Sequence, residues 1–478
     1  MNIKMMGGVE IHQRLATDEK LFCSCSAQPK DGKPVGEIVR KQRAVAGELG
    51  EVDLAALHEY SRDRTYRYQI FPKTTCLVEL DEEPPHPMNR DALETVIEVC
   101  LLLGSRVVDE VQVMRKTVID GSNTAGFQRT TIVGLGGSIQ TSKGEVGIQT
   151  ICLEEESSGI VGEKDGEVTY RLDRLGIPLI EIATCPDVKD GEHAREVVEK
   201  LGNIVRITGK AQRGIGTIRQ DLNISISKPG ASEGARVEIK GVQELGLICR
   251  IVEREVARQA KLLEEGKGLK SEVRRALSDG ETEYMRPMPG SARLYPETDV
   301  PPIRISREWV EEIRKKLPER PEDRREKLVE ELKIGEELTK KIMLSKNYPL
   351  FEKVVNELKI EPKLVAAILE ETVVSLRREG APVEKLNENK FMELFIEYKC
   401  GKFVKAAIPE ILRYVSRNPT ESISHAVDKL KLEKMRGDEL GKIVEEKRKA
   451  GKSGKVLIGE IMREHRLRVD MKELSALV

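Results

Sequence analysis

The spacing of apolar positions divides the chain into two textures. Up to about Pro302, short β-rich runs (VQVMRKTVI, RTTIVGL, GIQTICLE, PLIEIAT, DLNISIS, ARVEIKGV) alternate with Gly, Asp and Asn turns. The first such run, GGVEIHQ, alternates Val9 and Ile11 with Glu10 and His12, so as a strand it has one apolar and one polar face. Isolated helices interrupt the strands. From Glu192 to Val205, apolar Val197, Val198, Leu201, Ile204 and Val205 recur at helical spacing. Many strands with few crossover helices predict an α+β domain around a largely antiparallel sheet over 1–305. After Ser306, an N-cap for REWVEEIRKKL, the pattern stays helical to the end. Prolines 318, 321, 349, 362, 382, 409 and 419 punctuate it into short helices. A boundary near Asn387–Asn389 separates a helical domain, 306–388, from a helical tail, 389–478.

Composition sharpens this picture at the C-terminus. Charged residues make up 34% of the chain and aromatics 4%, a Lys/Glu-heavy balance that points to a heat-adapted protein with many surface ion pairs. The formal net charge is only −1, but from Ile396 to Val478 there are 19 Lys plus Arg against 13 Asp plus Glu, a net of +6. A basic tail, including Lys447, Arg448, Lys449, Lys452 and Lys455, suits a polyanionic partner, and a solvated helical surface is the bland alternative. Eight cysteines form no dense framework, and no apolar run reaches a membrane-spanning length. The expectation is a cytoplasmic protein with reduced thiols and no membrane partner. FCSC, with Cys23 and Cys25, and Cys76 further on hint at a metal knuckle. With no second cysteine pair to complete four ligands, zinc is not expected.

Phosphate-cradling loops are missing. GDELGK is one residue short of a P-loop, and GIGTIR and GLGGSI do not complete a dinucleotide fingerprint. The carboxylates say more. ICLEEESSG runs an apolar strand into Glu154, Glu155 and Glu156, and GIPLIEIATCPDV embeds Glu181 between Ile180 and Ile182. A lone buried carboxylate there is costly unless it is paired or ligates a cation. RQDLNIS places Arg219, Asp221 and Asn223 on one strand face, and VEIK adds Glu238 and Lys240. If these faces converge, Glu10, His12, Glu154 (or Glu155 in its place) and Glu181 surround one cation, with Arg219 and Lys240 beside it. Oxygen-rich ligation with a single imidazole suits Mg²⁺ or Mn²⁺. A metal with Arg and Lys is what phosphoryl transfer requires.

GVEIHQRLATDEKLFCSC, CLEEESSG, GIPLIEIATCPDV, IRQDLNISI, RVEIKGVQE and YMRPMPGSARLYPETDVPPI together resemble the B/E subunit family of tRNA-dependent amidotransferases. DEEPPHPMN and VMRKTVIDGSNTAGFQRT are closer to the archaeal E subunits than to the bacterial B subunits, and the tail resembles a YqeY-like module. The resemblance implies a cradle domain that uses ATP and Mg²⁺ to phosphorylate the γ-carboxylate of misacylated Glu-tRNA(Gln). Ammonia then displaces phosphate to give Gln-tRNA(Gln), making the protein a glutamine-dependent carbon–nitrogen ligase. The ammonia would come from glutamine or asparagine through an asparaginase-like D subunit, in a heterodimer or heterotetramer. It also implies that His12, Glu154, Glu181 and Glu10 are the catalytic metal ligands, and that Arg219, Asp221 and Lys240 line the phosphate side. In one respect the chain departs from the pattern. E subunits carry an inserted domain resembling one of aspartyl-tRNA synthetase before YMRPMPG, and here the helix passes directly into that motif. Two rival readings are a B-like member of a three-subunit Asp/Glu-tRNA amidotransferase and a non-catalytic tRNA-binding protein.

Overall fold

The computed structural model describes residues 3–28, 32–46, 50–214, 216–227, 234–290 and 293–478. Ile215 of GIGTIR and Ser291–Ala292 of the YMRPMPGSARLYPETDV run lie outside them. The chain forms two compact units, Met1–Arg320 and Pro321–Val478.

The first unit is built on a 12-stranded sheet. Ten of its strands form a continuous path: β1 (Lys4–Arg14), β2 (Met114–Thr117), β3 (Phe127–Leu135), β4 (Gly144–Glu155), β5 (Pro178–Thr184), β6 (Ile218–Ser227), β7 (Val237–Val242), β8 (Glu272–Ala276), β9 (Thr282–Pro287) and β10 (Leu294–Pro296). Their spatial order is β9-β8-β7-β6-β1-β5-β4-β3-β2-β10. Every neighbouring pair is antiparallel except β7–β8. The expected α+β architecture with a largely antiparallel sheet is what the chain adopts.

Period-two alternation gives the sheet two unlike faces. On β1, Val9 and Ile11 are buried, as are Ile180 and Ile182 on β5 and Leu222 and Ile224 on β6. Helices α3 (Gly191–Ile207) and α4 (Leu245–Glu264) pack against β1 and β6. Helix α3 starts where Asp190 accepts from the His193 N–H, and it buries the predicted stripe Val197, Val198, Leu201, Ile204 and Val205. Each such side chain contributes roughly 1.5–3 kcal/mol. The opposite face, carrying Glu10 and His12, is left for chemistry.

A four-stranded sheet, in the order Gly159–Lys164, Glu167–Arg171, Thr65–Ile70, Gly36–Arg40, stands beside the large one. Tyr66, Tyr68, Val168, Tyr170, Leu172 and Leu175 form its core. The short helix α1 (Leu54–Tyr60) is capped by Asp53, and the longer α2 (Arg90–Leu102) by Asn89.

The second unit is helical. One apolar core runs from Leu328 to Leu432, and a smaller one joins Met435, Leu440, Val444, Leu457, Ile461, Val469 and Leu474. The smaller core is held by the helices Gly437–Lys449, Gly454–His465 and Met471–Leu477. Among the described residues no helix is long and apolar enough to cross a membrane.

Candidate active site

Strand order and register carry the chemistry-bearing residues onto one sheet face. On β1, His12 lies opposite Glu181 of β5 and Arg219 of β6, and Glu10 opposite Asp221 of β6. On β4, Glu154 lies opposite Thr130 of β3. All of these side chains but Thr130 open into a cavity of about 490 Å³, whose walls also include Lys116, Asp120, Ser122, Glu238, Lys240 and Arg293. The cavity collects every expected site residue of the cradle except Glu155. It divides them, however, into two groups rather than one.

The first group is His12, Glu154 and Glu181, with ligand atoms within 4.8 Å of one another. His12 Nε2 lies 3.0 Å from Glu181 Oε2, and the buried Nδ1 has no partner among the described residues. Lys116 Nζ reaches Glu154 Oε1 at 2.5 Å and Glu181 Oε2 at 3.7 Å. Thr130 Oγ1 and Gln128 Nε2 donate to the two oxygens of Glu154 at 2.7 and 3.2 Å. Burial disfavours the charged form of Glu181, yet Lys116 and His12 outweigh it and hold this carboxyl well below the usual range. Burial likewise opposes a charged His12, and the bond and charge of Glu181 overcome it, raising the imidazole. Two carboxylates and one imidazole make a donor set that fits Mg²⁺ or Mn²⁺.

Glu10 belongs to the second group, with Asp221 and Glu238, again within 4.8 Å of one another. Glu10, expected beside the cation of His12, thus gathers with a different pair of acids in the same cavity. Residues i and i+2 share a face but sit about two strand rises apart, and each takes its own cross-strand neighbours. Lys240 Nζ bridges Asp221 Oδ2 at 3.0 Å and Glu238 Oε1 at 2.5 Å, while Arg236 and Asn223 reach Glu10 Oε1 at 3.1 and 2.9 Å. Burial, then Glu181 and Glu238, raise Glu10, a sign that this corner is short of positive charge. An all-oxygen set of this kind suits a hard cation. Asp221, expected on the phosphate side, thus sits among acids, with Lys240 as its counter-ion.

Glu155 does not substitute for Glu154, because strand alternation turns it to the other face. There it accepts from the Arg129 N–H at 3.1 Å and lies 3.5 Å from that guanidinium. Glu156 gathers Arg219 at 2.9 Å, Arg174 at 3.3 Å and Arg14 at 3.5 Å. Burial raises this carboxyl, and the three arginines more than reverse that, lowering it.

Outside the cavity, Cys23, Cys25, Cys76 and Glu79 bring ligand atoms within 4.8 Å of one another. The sequence offers no second cysteine pair, and the structure instead sets a carboxylate beside the three thiols, a cluster of four donor atoms. Glu79 lies three residues after Cys76 and carries no metal-site signature of its own in the sequence. In the tail, Lys447 and Lys452 pair with Glu460, and Arg448 reaches the carbonyls of Leu477 and Val478. Lys449 and Lys455 are exposed and make no ion pair among the described residues.

An open sheet face bearing two cation-ready carboxylate groups, each with its own lysine, defines a class that comparison with known proteins identifies. Residues 5–311 match the family model of the GatB/GatE catalytic domain, and residues 349–478 match that of the GatB domain. The chain belongs to the GatB/GatE family, the tRNA-dependent amidotransferases. Among its relatives is the E subunit of the glutamyl-tRNA(Gln) amidotransferase of Methanocaldococcus jannaschii, 37% identical over 92% of this chain and 90% of the relative. The E subunits of the same enzyme from Methanopyrus kandleri (37%, covering 86% of both chains) and Aeropyrum pernix (35%, covering 93% and 90%) are similar as well. The first of these alignments runs over 574 positions, more than the 478 residues here, so that relative carries residues with no counterpart in this chain.

Proposed function

We propose that this cavity converts Glu-tRNA(Gln) to Gln-tRNA(Gln) in two steps. ATP phosphorylates the γ-carboxylate of the esterified glutamyl group, and ammonia then displaces phosphate from the acyl phosphate. One observation carries the reading: two separate cation-ready carboxylate groups, with Arg219 and Lys240, face one cavity of about 490 Å³. Phosphoryl transfer needs charge neutralisation and positioning more than covalent help. His12, Glu154 and Glu181 would hold one Mg²⁺, and Glu10, Asp221 and Glu238 a second. Bound there, magnesium neutralises charge on phosphate oxygens. Arg219, oriented by Glu156, and Lys240 supply fixed positive charge on the same wall. In the second step ammonia attacks the γ-carbonyl carbon and the bond from that carbon to the phosphate-bearing oxygen breaks.

The subunit name borne by the relatives supports a complex, and the ammonia is assigned to an asparaginase-like D subunit acting on glutamine or asparagine. The exposed Lys449 and Lys455 suit contact with tRNA phosphates. The test is whether the purified chain, given ammonium, Mg-ATP and Glu-tRNA(Gln), makes Gln-tRNA(Gln), and whether glutamine serves only when the D subunit is added. A chain that binds tRNA but makes no product from ammonium returns the protein to the non-catalytic alternative. Co-purification with an amidase-type partner would favour an assembly of three different chains.

A further inference from the structure

The run VIDGSNT forms a cavity wall that none of the steps above uses. Its backbone is held by three tyrosines of the small sheet. Tyr66 Oη donates to the Ile119 carbonyl at 3.0 Å, Tyr170 Oη to that of Asp120 at 2.9 Å, and Tyr68 Oη to that of Gly121 at 2.8 Å. Three consecutive carbonyls are thus fixed from one side. The Gly121 N–H is fixed as well, donating to Gln42 Oε1 at 3.3 Å. Tyr68 and Tyr170 stack with centroids 5.9 Å apart, and Tyr66 lies 6.3 Å from Tyr170, so the donors themselves are packed in place. Gly121 has φ +85°, and a Cβ there would meet the Tyr66 ring at 2.2 Å, so only glycine lets the loop lie this close.

This anchored loop presents Asp120 to the cavity. Asp120 Oδ1 accepts from the Ser122 N–H at 2.9 Å, an Asx turn that fixes the carboxylate's direction. The other cavity acids are already engaged. Glu154 and Glu181 face Lys116, Asp221 and Glu238 face Lys240, Glu10 faces Arg236, and Glu59 faces Arg62. Asp53 accepts from the Ala56 and Gly290 N–H groups. Asp120 alone combines a rigid, oriented carboxylate with no cation and no second anchoring element among the described residues.

We propose that Asp120 receives the α-ammonium of the aminoacyl group, making it a specificity residue for a free amino-acid ester. The inference rests on the reading that an aminoacyl-tRNA is the substrate. The glutamyl ester carries one cation, its α-ammonium, three carbons from the carboxylate carbon that reacts. Ammonium and carboxylate form a charge-assisted hydrogen bond of the stronger kind. Asp120 thereby sets where the γ-carboxylate lies, and Tyr66, Tyr68 and Tyr170 are positioning residues acting through the loop.

The experiment compares Glu-tRNA(Gln) with the same tRNA charged with glutarate, which keeps the γ-carboxylate and lacks the amine. Both are given to the full chain with ammonium and Mg-ATP. For the wild type, kcat/KM should fall about 10- to 100-fold on loss of the amine, mainly through KM. Asp120→Asn should lose a similar factor on Glu-tRNA and should no longer distinguish the two substrates. Tyr170→Phe should move both readouts in the same direction by less. Uncharged tRNA should bind all three proteins equally. A wild type indifferent to the amine overturns the proposal without any variant, and so does an Asp120→Asn protein that keeps the wild-type preference. A wild type inert on Glu-tRNA with ammonium removes the parent reading, and this one with it.

Discussion

Replacing Glu181 with glutamine isolates the charge of one ligand from its shape. Glu181 sits between His12, at 3.0 Å, and Lys116, at 3.7 Å. Glutamine keeps the volume and a hydrogen bond to the imidazole, but the bond to His12 falls from charge-assisted to neutral, roughly halving it. Lys116 is not stranded, because Glu154 remains 2.5 Å away. The substitution therefore escapes the 3–5 kcal/mol cost that breaking a buried pair typically carries. A loss of about 1–2 kcal/mol is expected, tolerable against the roughly 5–15 kcal/mol that stabilises a domain. Chemistry should suffer far more. Halving the carboxylate charge of the first cation group removes several kcal/mol of transition-state stabilisation, at least about a thousandfold in rate. The assay measures Gln-tRNA formation by the full chain with its amidohydrolase partner, using either glutamine or ammonium. Glu181→Gln should lose product with both donors, whereas omission of the partner should stop glutamine alone. A folded Glu181→Gln protein that bound tRNA and still used ammonium at a near wild-type rate would refute the reasoning.

Two further outcomes follow from charges outside the reaction. Glu297 is buried between Arg115, at 2.5 Å, and Arg129, at 2.7 Å; burial raises its pKa, and these arginines with the Asp299 N–H bring it down to about 2, from 4.5. A lowered folded pKa stabilises at pH values above the unfolded one, so this contribution, about 3 kcal/mol, should be lost as pH falls from about 5 to about 1, through the folded value. Glu297→Gln should lower stability to denaturant at pH 7 by about that amount and flatten its acid dependence; equal acid sensitivity in both proteins would contradict the assignment. In the tail, reversing Lys449 and Lys455 to Glu should weaken tRNA binding at all sequences and shrink its salt slope by about one unit per lost phosphate contact. Unchanged affinity and slope would remove the tail from the tRNA interface.

Much of this site is legible in the sequence because strands expose their faces through alternation. Val9 and Ile11 against Glu10 and His12, and Glu181 among isoleucines, announce a sheet with one apolar and one polar face, and the period of Val197 to Val205 announces α3. Strand order is different in kind. That β1 lies between β5 and β6, placing His12 opposite Glu181 and Glu10 opposite Asp221, is a property of topology, and with it goes the split of the acids into two groups. Lys116 is hidden for the same reason: its strand β2 is four places from β1 in the sheet, and only folding brings its ammonium to Glu154 and Glu181. The choice between Glu154 and Glu155 depends on the phase of a strand whose end is blurred by three consecutive acids. Glu79 is hidden in the sequence as a partner of the three cysteines because a carboxylate carries no signature of its own beside a thiol motif.

The central claim, that the γ-carboxylate becomes an acyl phosphate before ammonia arrives, is open to an isotope measurement. Glu-tRNA(Gln) labelled with oxygen-18 in both γ-carboxylate oxygens is converted by the full chain with ATP, magnesium and ammonium in ordinary water. If ammonia displaces phosphate from the glutamyl carbon, each Gln-tRNA formed releases one phosphate carrying one labelled oxygen, and the other label stays in the glutamine amide. Gln-tRNA accompanied by unlabelled phosphate would contradict the account.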